Sequence, residues 1–320
     1  GNVLGEHRIP TTRDALQKLF KGRSARVLIE ASTSSEWVAR CLEGLGLEVV
    51  VGDPRFGPMY ARQDRRIKTD RRDAKALADA LRMGAVRPAH RRSDASVQIR
   101  RAVVIRNGLV KARTKLVNQA RSICEREGFA QIGARAAPER FLDALAELEL
   151  DERLAMDILP AMAEVQALNE TIADLSTELD EMVKVDEVAR RLDKVCGVGS
   201  VTALAFKAVV DDPSRFASSR ALTSYLGLVP SEHSSGDSRR LGRVTKTGDT
   251  LLRALLVQAA WCVMRSKSPQ NAGLKAWANG IAERRGKGRA AVALARKLAR
   301  ILFAMWRDGT DFDPTRAVRA

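Results

Sequence analysis

The sequence contains few of the residues that mark metal-binding, secreted or membrane proteins. Its four cysteines are far apart and form no Cys-x-x-Cys pair, and its three histidines are equally scattered. This distribution argues against a zinc site and indicates a reducing compartment. No apolar run is long enough to cross a bilayer, and no secretory signal opens the chain. We therefore expect a protein of a reducing compartment that makes no contact with a membrane.

Aromatic residues are also scarce, at 4% of the chain, whereas basic residues are abundant. The 55 lysines and arginines exceed the 39 acidic residues and leave a formal net charge of +16. A chain this basic usually binds a polyanion, which in most cases is nucleic acid. With few aromatic rings for base stacking, duplex DNA or folded RNA is a better fit than a single strand.

The positive charge is divided unevenly along the sequence. Residues 61–130 carry 19 basic and 7 acidic residues, residues 131–190 carry 5 and 15, and residues 191–320 carry 23 and 10. Two basic regions therefore flank an acidic one, which uniform solubilising charge does not explain. The division that we predict is a first domain over 1–95, a basic helical extension over 96–150, a connector over 151–191 and a final domain over 192–320.

Hydrophobic patterning predicts an α/β layer followed by helices. Residues 25–30 and 47–51 have the pattern of buried strands around a helix over 35–45, which favours parallel pairing. Helices are predicted from Thr69 to a stop at Gly84 and over residues 96–127. Over residues 157–183 apolar side chains recur at spacings of three and four, a pattern typical of a coiled coil, an antiparallel hairpin or a helix packed inside its own domain.

Three carboxylates have positions that suit a metal site. Glu30 ends a predicted strand, and Asp70 and Asp73 share one face at the start of a helix. Ligands gather at the carboxyl ends of parallel strands, and Mg²⁺ prefers oxygen ligands. Two such ions can clamp the attacking and leaving oxygens during phosphodiester cleavage. The alternative is that both aspartates stabilise the helix N-terminus and pair with Arg71 and Arg72.

Two glycine-containing segments near the carboxyl end are further candidates. Gly197 and Gly199 form a turn before a helix, which resembles the backbone-binding turn of helix-hairpin-helix proteins but equally suits a plain connection. Residues 231–248 form a loop in which Ser234 and Ser235 precede a glycine, with His233 as the nearby imidazole. Cations near such a serine could favour an attacking alkoxide, although loops of this composition are also common surface linkers.

Basic side chains beside these features are candidates for binding the phosphate backbone. With the two turn glycines Gly197 and Gly199, the set that we predict to bind nucleic acid is Lys68, Arg71, Arg72, Arg106, Lys111, Arg113, Arg239, Arg240, Arg243, Lys246 and Arg253. For the basic helix over 96–127, a solvated face is the alternative.

Several motifs, in order, resemble one family along nearly the whole chain. The first half contains Ile29-Glu30-Ala31, Asp53-Pro54 and Lys68-Thr69-Asp70-Arg71-Arg72-Asp73. The second half contains Gly197-Val198-Gly199, Tyr225-Leu226-Gly227-Leu228-Val229-Pro230, Ser234-Ser235-Gly236 and Thr245-Lys246-Thr247-Gly248-Asp249. In these motifs the chain is similar to DEDD transposases of the one-ten insertion-sequence family, relatives of the Piv invertase.

The resemblance implies a RuvC-like, ribonuclease-H-type domain, a helical coiled-coil connector and a mainly helical transposase domain. Glu30, Asp70 and Asp73 match the family's metal-binding carboxylates, and Ser235, with Ser234 as fallback, matches its nucleophilic serine. The implied partners are double-stranded DNA at element ends and target, a structured bridge RNA and further copies of the chain in a dimer or tetramer. The implied cofactor is Mg²⁺, and the implied location is the bacterial cytoplasm, in association with the nucleoid.

One part of the family pattern is expected upstream of Gly1. The family's first aspartate lies on a first strand, in a Gly-x-Asp context, and the sequence begins after the position where that strand would stand. Two alternatives to an active transposase therefore remain open. One is a RuvC-like nuclease that resolves DNA junctions by metal-assisted hydrolysis alone, and the other is a silent nucleic-acid-binding remnant.

Overall fold

The computed structural model describes residues 2–60, 69–129, 137–148, 150–232, 238 and 240–319, without the side chains of residues 139 and 317–319. The chain divides into two compact units, Gly1–Arg92 and Ser93–Ala320. None of the helices in the described ranges is long and apolar enough to cross a membrane. The four functional regions derived from charge stay a prediction.

The first unit contains two parallel strands with helices around them. Its elements are α1 (Arg13–Phe20), β1 (Arg26–Glu30), α2 (Ser35–Glu43), β2 (Glu48–Gly52) and α3 (Asp70–Arg82). Arg26 pairs with Glu48 at one end of the strands, and Glu30 pairs with Gly52 at the other. Leu16, Leu42 and Leu47 form the buried core beneath them. The predicted strand-helix-strand order and its parallel pairing are confirmed.

Two long helices of the second unit form an antiparallel hairpin. They are α4 (Asp94–Arg126) and α6 (Glu152–Val185), with the short α5 (Phe141–Ala146) between them. Arg106 donates a hydrogen bond to Ser176, whereas Arg113, about two turns later, donates to Asn169. Because the partner number falls as the α4 number rises, the helices run in opposite directions.

The predicted apolar seam of residues 157–183 lies inside this hairpin. Its buried members are Ile158, Met162, Val165, Leu168, Ile172 and Leu179. Ile158, Met162 and Val165 share a hydrophobic cluster with Val117 of α4, and Leu179 shares another with Val103. Of the three arrangements that the spacing allowed, the antiparallel hairpin is the one found, so a seam between chains is not needed to bury these side chains.

The rest of the second unit is a helical bundle with one small hairpin of strands. Its elements are α7 (Glu187–Asp193), α8 (Ser200–Val210), α9 (Ser219–Tyr225), β3 (Pro230–Glu232), β4 (Leu241–Val244), α10 (Thr250–Arg265), α11 (Ala272–Arg285), α12 (Lys287–Asp308) and α13 (Pro314–Arg319). Helix α12 contributes many fully buried side chains, including Leu298, Leu302 and Phe303. It packs against α9, α10 and α11 and so forms the centre of this unit.

Candidate functional site

Glu30 lies at the carboxyl end of β1 and is joined there to Tyr60. The Tyr60 hydroxyl donates a hydrogen bond of 2.7 Å to Oε2 of Glu30. Tyr60 ends a single 3-10 turn, Gly57–Tyr60, whose Met59 is 2% exposed and packs on Gly52 at the end of β2. A Cβ on Gly52 would lie 2.7 Å from the terminal methyl of Met59, so the Met59 side chain would have to shift. The glycine at the strand end therefore lets the turn fold back and deliver Tyr60 to Glu30.

Helix α3 brings Asp70 and Asp73 to the same region of the first unit. The Thr69 hydroxyl caps the helix by accepting a 3.3 Å hydrogen bond from the Arg72 amide, as its position before the first turn predicts. Helix α3 packs on β1 and on the turn that contains Tyr60. Burial raises the pKa of the Tyr60 hydroxyl, and the nearby charges of Glu30 and Asp73 raise it further. Glu30 and Asp73 therefore both act on one phenol.

The oxygen donors at this place suit a hard divalent cation, but the described residues bring only part of a complete ligand set together. Glu30 and Asp73 both lie near Tyr60, while Asp70 is exposed on the first turn of α3. Among the described residues, no group of three or more histidine, cysteine, aspartate or glutamate side chains is arranged to hold a metal. The chemistry therefore fits Mg²⁺, and the three predicted carboxylates do not by themselves form a closed site.

Asp53, from the Asp-Pro motif, stabilises the turn after β2. Its Oδ2 accepts a 2.7 Å hydrogen bond from Arg87, and its Oδ1 accepts one of 2.9 Å from the Arg55 amide. Burial opposes the charge on Asp53, but these two donors outweigh burial and lower the pKa of the carboxyl. Arg87 also lies 5.2 Å from the ring centroid of Phe56. The motif thus shapes the loop that leads to Tyr60.

The predicted serine loop connects β3 to β4, which pair in antiparallel fashion. Pro230 stands opposite Val244, and Glu232 stands opposite Leu241. The candidate residues His233, Ser234, Ser235 and Arg239 lie outside the described residues. What the structure does describe is the base from which this loop extends.

Arg253 of α10 holds the base of the hairpin through backbone carbonyls. Its Nη1 donates to the carbonyl oxygens of Leu226, Thr247 and Asp249. These oxygens belong to the segment before β3 and the segment after β4, so a single guanidinium joins the two chain ends of the hairpin. Arg253 was predicted to bind nucleic acid, and in this structure its Nη1 is committed to the backbone instead.

Two glycines let the same chain segments approach each other closely. Gly227 has φ +66° and Gly248 has φ +72°, a region that favours glycine. A Cβ on Gly227 would overlap the backbone of Thr247, and one on Gly248 would overlap the carbonyl of Tyr225. The Gly-Leu-Val-Pro and Lys-Thr-Gly-Asp motifs are therefore two sides of one backbone contact.

The glycine turn before α8 is explained in part by packing. Gly197 has φ +89°, and a Cβ there would lie 2.8 Å from the carbonyl oxygen of Ala259. Gly199 is exposed, precedes the first residue of α8 and has open space around it. Close approach of α10 therefore accounts for Gly197, whereas Gly199 leaves the N-terminus of α8 accessible.

Comparison with known proteins identifies the family. Residues 1–126 match a DEDD transposase model of the IS110 group, and residues 189–275 match the model described as the transposase IS116/IS110/IS902 family. The chain is 33% identical over 287 residues to the transposase for insertion sequence element IS1111A of Coxiella burnetii, which covers 87% of this chain and 77% of the relative. The chain belongs to the IS110 family of DEDD transposases. It is therefore an enzyme, a DNA transposase.

Two further relatives of this transposase are similar over most of their length. A probable family 20 transposase of Pseudomonas aeruginosa is 33% identical over 292 residues, which is 90% of this chain and 86% of the relative. The transposase for insertion sequence element IS1328 of Yersinia enterocolitica is 29% identical over 286 residues, 89% of this chain and 85% of the relative. Membership of the DEDD group implies a ribonuclease-H-like fold for the first domain, and the predicted family is confirmed.

The basic helix α4 of the transposase does not present all its cations to solvent. Arg113 is 5% exposed and donates a 2.9 Å hydrogen bond to Asn169 inside the hairpin. Arg106 is half-buried and donates to Ser176. Lys111 is exposed. Arg113, and in part Arg106, therefore tie α4 to α6, and only Lys111 of the three is placed to contact a phosphate.

The other basic candidates are exposed where the structure describes them. Arg71 pairs with Glu6 at 2.7 Å, both side chains being largely exposed, and Arg72 is exposed beside it. Arg240, Arg243 and Lys246 are exposed on or near β4. Lys68 lies outside the described residues. The exposed basic members of the predicted set thus occur at the start of α3, at Lys111 of α4 and at the serine hairpin, which we define as β3, β4 and the loop between them.

Sequence reasoning missed Tyr60 and Arg87, the residues that order the region around Glu30. The signal that could have found Tyr60 is scarcity, because it is one of two tyrosines in the chain and lies next to a basic segment. Arg87 had no such signal, since arginine is the commonest polar residue around it. Both act through contacts that only the folded chain creates.

Proposed function

We propose that this transposase cuts and rejoins DNA strands with Ser235 as its nucleophile, Ser234 being the alternative. A divalent cation, Mg²⁺, held by Glu30, Asp70 and Asp73 assists the reaction. The substrates are the ends of the insertion sequence and a target duplex. Family membership supports the DNA substrate, and the anchored serine hairpin supports the choice of nucleophile.

The proposed chemistry exchanges one phosphate ester for another. The serine Oγ attacks the phosphorus of a phosphodiester, the bond from phosphorus to one deoxyribose oxygen breaks, and that oxygen leaves as a hydroxyl after protonation. The strand is then linked to the protein as a phosphoserine ester. A hydroxyl of a second strand attacks the same phosphorus, which releases the serine and seals the new joint. No external energy source is required.

The observation that carries this proposal is the fixed base of the hairpin. A nucleophile must be held in one geometry for attack, and a flexible surface linker does not do this. Arg253 bonds to carbonyls on both sides of the hairpin, and Gly227 and Gly248 allow backbone contact between the same segments. A loop whose two ends are held in this way differs from a flexible surface linker, which is the alternative that its Ser/Gly/Arg composition allows.

DEDD transposases typically use divalent metal ions, and the carboxylates of this chain would hold one through oxygen atoms. Bound there, Mg²⁺ would neutralise charge on the phosphate that is attacked. Tyr60 fixes one oxygen of Glu30 through its hydroxyl, which leaves the other oxygen for a ligand role. The exposed Asp70 and the half-buried Asp73 offer further oxygens on one helix.

The decisive experiment traps the proposed covalent intermediate. The transposase is incubated with Mg²⁺ and labelled element-end duplexes, denatured, and examined for DNA attached to protein. We expect attachment with the wild type and with Ser234→Ala, and none with Ser235→Ala, while DNA binding persists in all three. Attachment by Ser235→Ala but not Ser234→Ala assigns the alternative serine.

Other outcomes of the same assay separate the competing functions. Cleavage without attachment that survives loss of both serines but not Asp70→Asn or Asp73→Asn would identify a junction-resolving nuclease. Binding without cleavage by every form, including one extended upstream, would identify a silent remnant. The total absence of salt-sensitive DNA binding would contradict all three.

The partners in this proposal also include a structured guide RNA and a second copy of the chain. The support is the excess of basic over acidic residues and the family resemblance, since two DNA duplexes must be held together. Sequencing of RNA that copurifies with the transposase tests the guide, and mass measurement by light scattering tests for a dimer or tetramer. Random RNA and a monomer on DNA would remove these partners from the proposal.

A further inference from the structure

Four arginines lie along one face of α12. Arg289, Arg296, Arg300 and Arg307 are separated by seven, four and seven residues, and at 3.6 residues per turn all four fall within about 20° of a common line. At a rise of 1.5 Å per residue, the line is about 27 Å long. Between residues 287 and 307 this helix contains no aspartate or glutamate. The face is therefore positive along nearly its whole length.

A fifth arginine, from α9, joins the middle of this line. Arg300 donates a 3.3 Å hydrogen bond from Nε to the Ser219 hydroxyl, which places α9 beside it. Arg220 follows directly and is exposed. We call Arg220, Arg289, Arg296, Arg300 and Arg307 the arginine stripe.

The centre of the arginine stripe is crowded with positive charge. The pKa of Arg296 is lowered by burial and then by the charges of Arg300 and Arg220, and no carboxylate acts in the opposite direction. Among the described residues, no ion pair joins Arg296 or Arg220 to an acidic side chain. At the far end, Arg307 does pair with its neighbour Asp308, at 2.7 Å.

Like charges held together destabilise a fold unless an anion offsets them. Arginine stays protonated in proteins, so this cluster cannot escape repulsion by losing a proton. A helical face that only contacts water usually carries charges of both signs. The exposed face of α6 is an example, because Lys184 pairs there with Glu181. Arg296, which is half-buried beside two further arginines and has no ion pair among the described residues, needs another explanation.

We infer that the arginine stripe binds the phosphate backbone of duplex DNA, through residues other than the carboxylates and the serines of the proposed reaction. It needs neither Ser235 nor a metal, so it goes beyond the proposed reaction. Several phosphates would neutralise the clustered guanidinium groups and form charge-assisted hydrogen bonds with them.

The form of the surface favours a duplex over a single strand. A straight helix of this length can follow phosphates along one strand of a rigid duplex, whereas a single strand is usually held by stacked aromatic rings. Over the length of the arginine stripe, the aromatic residues of α12 are Phe303, which is buried, and Trp306, which is half-buried. The contact is expected to be independent of base sequence, since backbone contacts position DNA without reading it.

The test compares DNA affinity and its salt dependence in the full chain. Each phosphate contact contributes about 0.9 to the slope of log affinity against log salt, so Arg296→Gln with Arg300→Gln should lower the slope by about two. At 0.1 M salt the affinity for duplex DNA should fall roughly 10- to 100-fold. In the absence of DNA, the variant with Arg296→Gln and Arg300→Gln should melt at or above the wild-type temperature, because charge repulsion at position 296 is relieved.

Control variants keep a loss of binding distinct from a loss of fold or of general charge. Arg220→Gln with Arg289→Gln changes only exposed members and should weaken binding without lowering the melting temperature. Arg296→Lys with Arg300→Lys should retain most of the slope. The charge-matched control Arg153→Gln with Lys184→Gln, exposed on α6, should bind DNA as the wild type does.

Three results would overturn the inference. An unchanged slope in both arginine-stripe variants would show that no phosphates are bound there. An equal loss in the α6 control would show a general charge effect. A loss confined to an RNA duplex of the same length would show that RNA, not DNA, occupies the surface. Since Ser235→Ala should leave this binding intact, failure of covalent trapping and failure of the arginine stripe are distinguishable.

Discussion

Tyr60 and Glu30, thirty residues apart, meet through a 2.7 Å hydrogen bond at the carboxyl end of β1. The hydroxyl donates to a carboxylate that we propose as a metal ligand, and the charge of Asp73 is near enough to act on the same hydroxyl. A group that hydrogen-bonds to a metal ligand orients it, and its replacement typically lowers metal affinity about 10- to 100-fold. Tyr60 is therefore a positioning residue for Glu30 in the proposed reaction.

Replacement of Tyr60 by phenylalanine removes the hydrogen bond to Glu30 but keeps the aromatic ring in place, so the Glu30 carboxylate should become less well oriented. We expect the free energy of unfolding to fall by about 1 kcal/mol, the usual value of one hydrogen bond, and Mn²⁺ affinity by calorimetry to fall roughly tenfold. Tyr225→Phe is the matched control, because the Tyr225 hydroxyl makes no hydrogen bond within the described part of the chain. Equal metal affinity in Tyr60→Phe and the wild type would remove the positioning role.

Substitution of Arg253 by lysine should separate hairpin geometry from DNA binding. Lysine keeps the charge but lacks the planar fork that reaches the carbonyls of Leu226 and Thr247. We expect covalent trapping of DNA to fall at least tenfold while the salt dependence of DNA binding stays within error. A parallel loss of DNA affinity would instead favour direct contact between Arg253 and phosphate, as the sequence predicted.

A single added methyl group should have opposite effects at two glycines. Gly248→Ala places a Cβ on the Tyr225 carbonyl at a φ of +72°, so the free energy of unfolding should drop by about 2–4 kcal/mol. Gly280→Ala, within α11 and with open space around it, should raise stability by about 0.5–1 kcal/mol. Urea denaturation of both variants checks the contrast, and a neutral Gly248→Ala would contradict the close backbone contact.

The first unit should lose stability in acid through Arg91. Its guanidinium donates to Glu36 at 2.9 Å and to Glu43 at 3.0 Å, and the pKa of Glu36 falls below its usual 4.5 chiefly because of the bond from Arg91. A carboxyl with a lowered pKa stabilises the fold above its unfolded pKa and loses this effect as the pH falls.

The corresponding variant is Arg91→Met, which should cost about 1 kcal/mol at pH 7 because the groups are partly exposed. The difference from the wild type should shrink as the pH falls below about 4.5, the usual pKa of Glu36. Denaturation curves at several pH values measure it, and a difference that grows in acid would have the wrong sign.

Two basic residues of α4, two positions apart, should behave differently toward DNA. Lys111 is exposed and Arg113 is 5% exposed. We expect Lys111→Gln to lower the salt slope of DNA binding by about one, and Arg113→Met to leave the slope unchanged while altering stability. If Arg113→Met lowered the slope and Lys111→Gln did not, the basic face of α4 would be assigned wrongly.

Local patterns predicted the elements of this fold well. Thr69 before two early aspartates predicts the start of α3, and Gly84 predicts its end, because caps depend on residues a few positions apart. The apolar spacing over 157–183 predicts α6 for the same reason. The sequence allowed three arrangements for the apolar seam of this helix, because periodicity defines the apolar face but not the element that packs against it.

The arrangement of the candidate site required the folded chain. Glu30, Asp70 and Asp73 were singled out by their positions and by the family resemblance, whereas Tyr60 reaches Glu30 through a turn whose Met59 packs on Gly52. Likewise, Arg113 was predicted to contact DNA because it is basic, but in the folded chain it donates a hydrogen bond to Asn169. Contacts between distant residues depend on packing, which no short window of sequence contains.

The amino-acid sequence by itself determined the family, the basic character, the parallel strands and the long helices, because these depend on composition, motif order and local spacing. The tertiary structure alone decided which of the many arginines are buried, which hold backbone carbonyls and which form a line on α12. A helical face becomes a surface or a core only when its neighbours pack, and the same positive charge then stabilises the fold or remains for DNA.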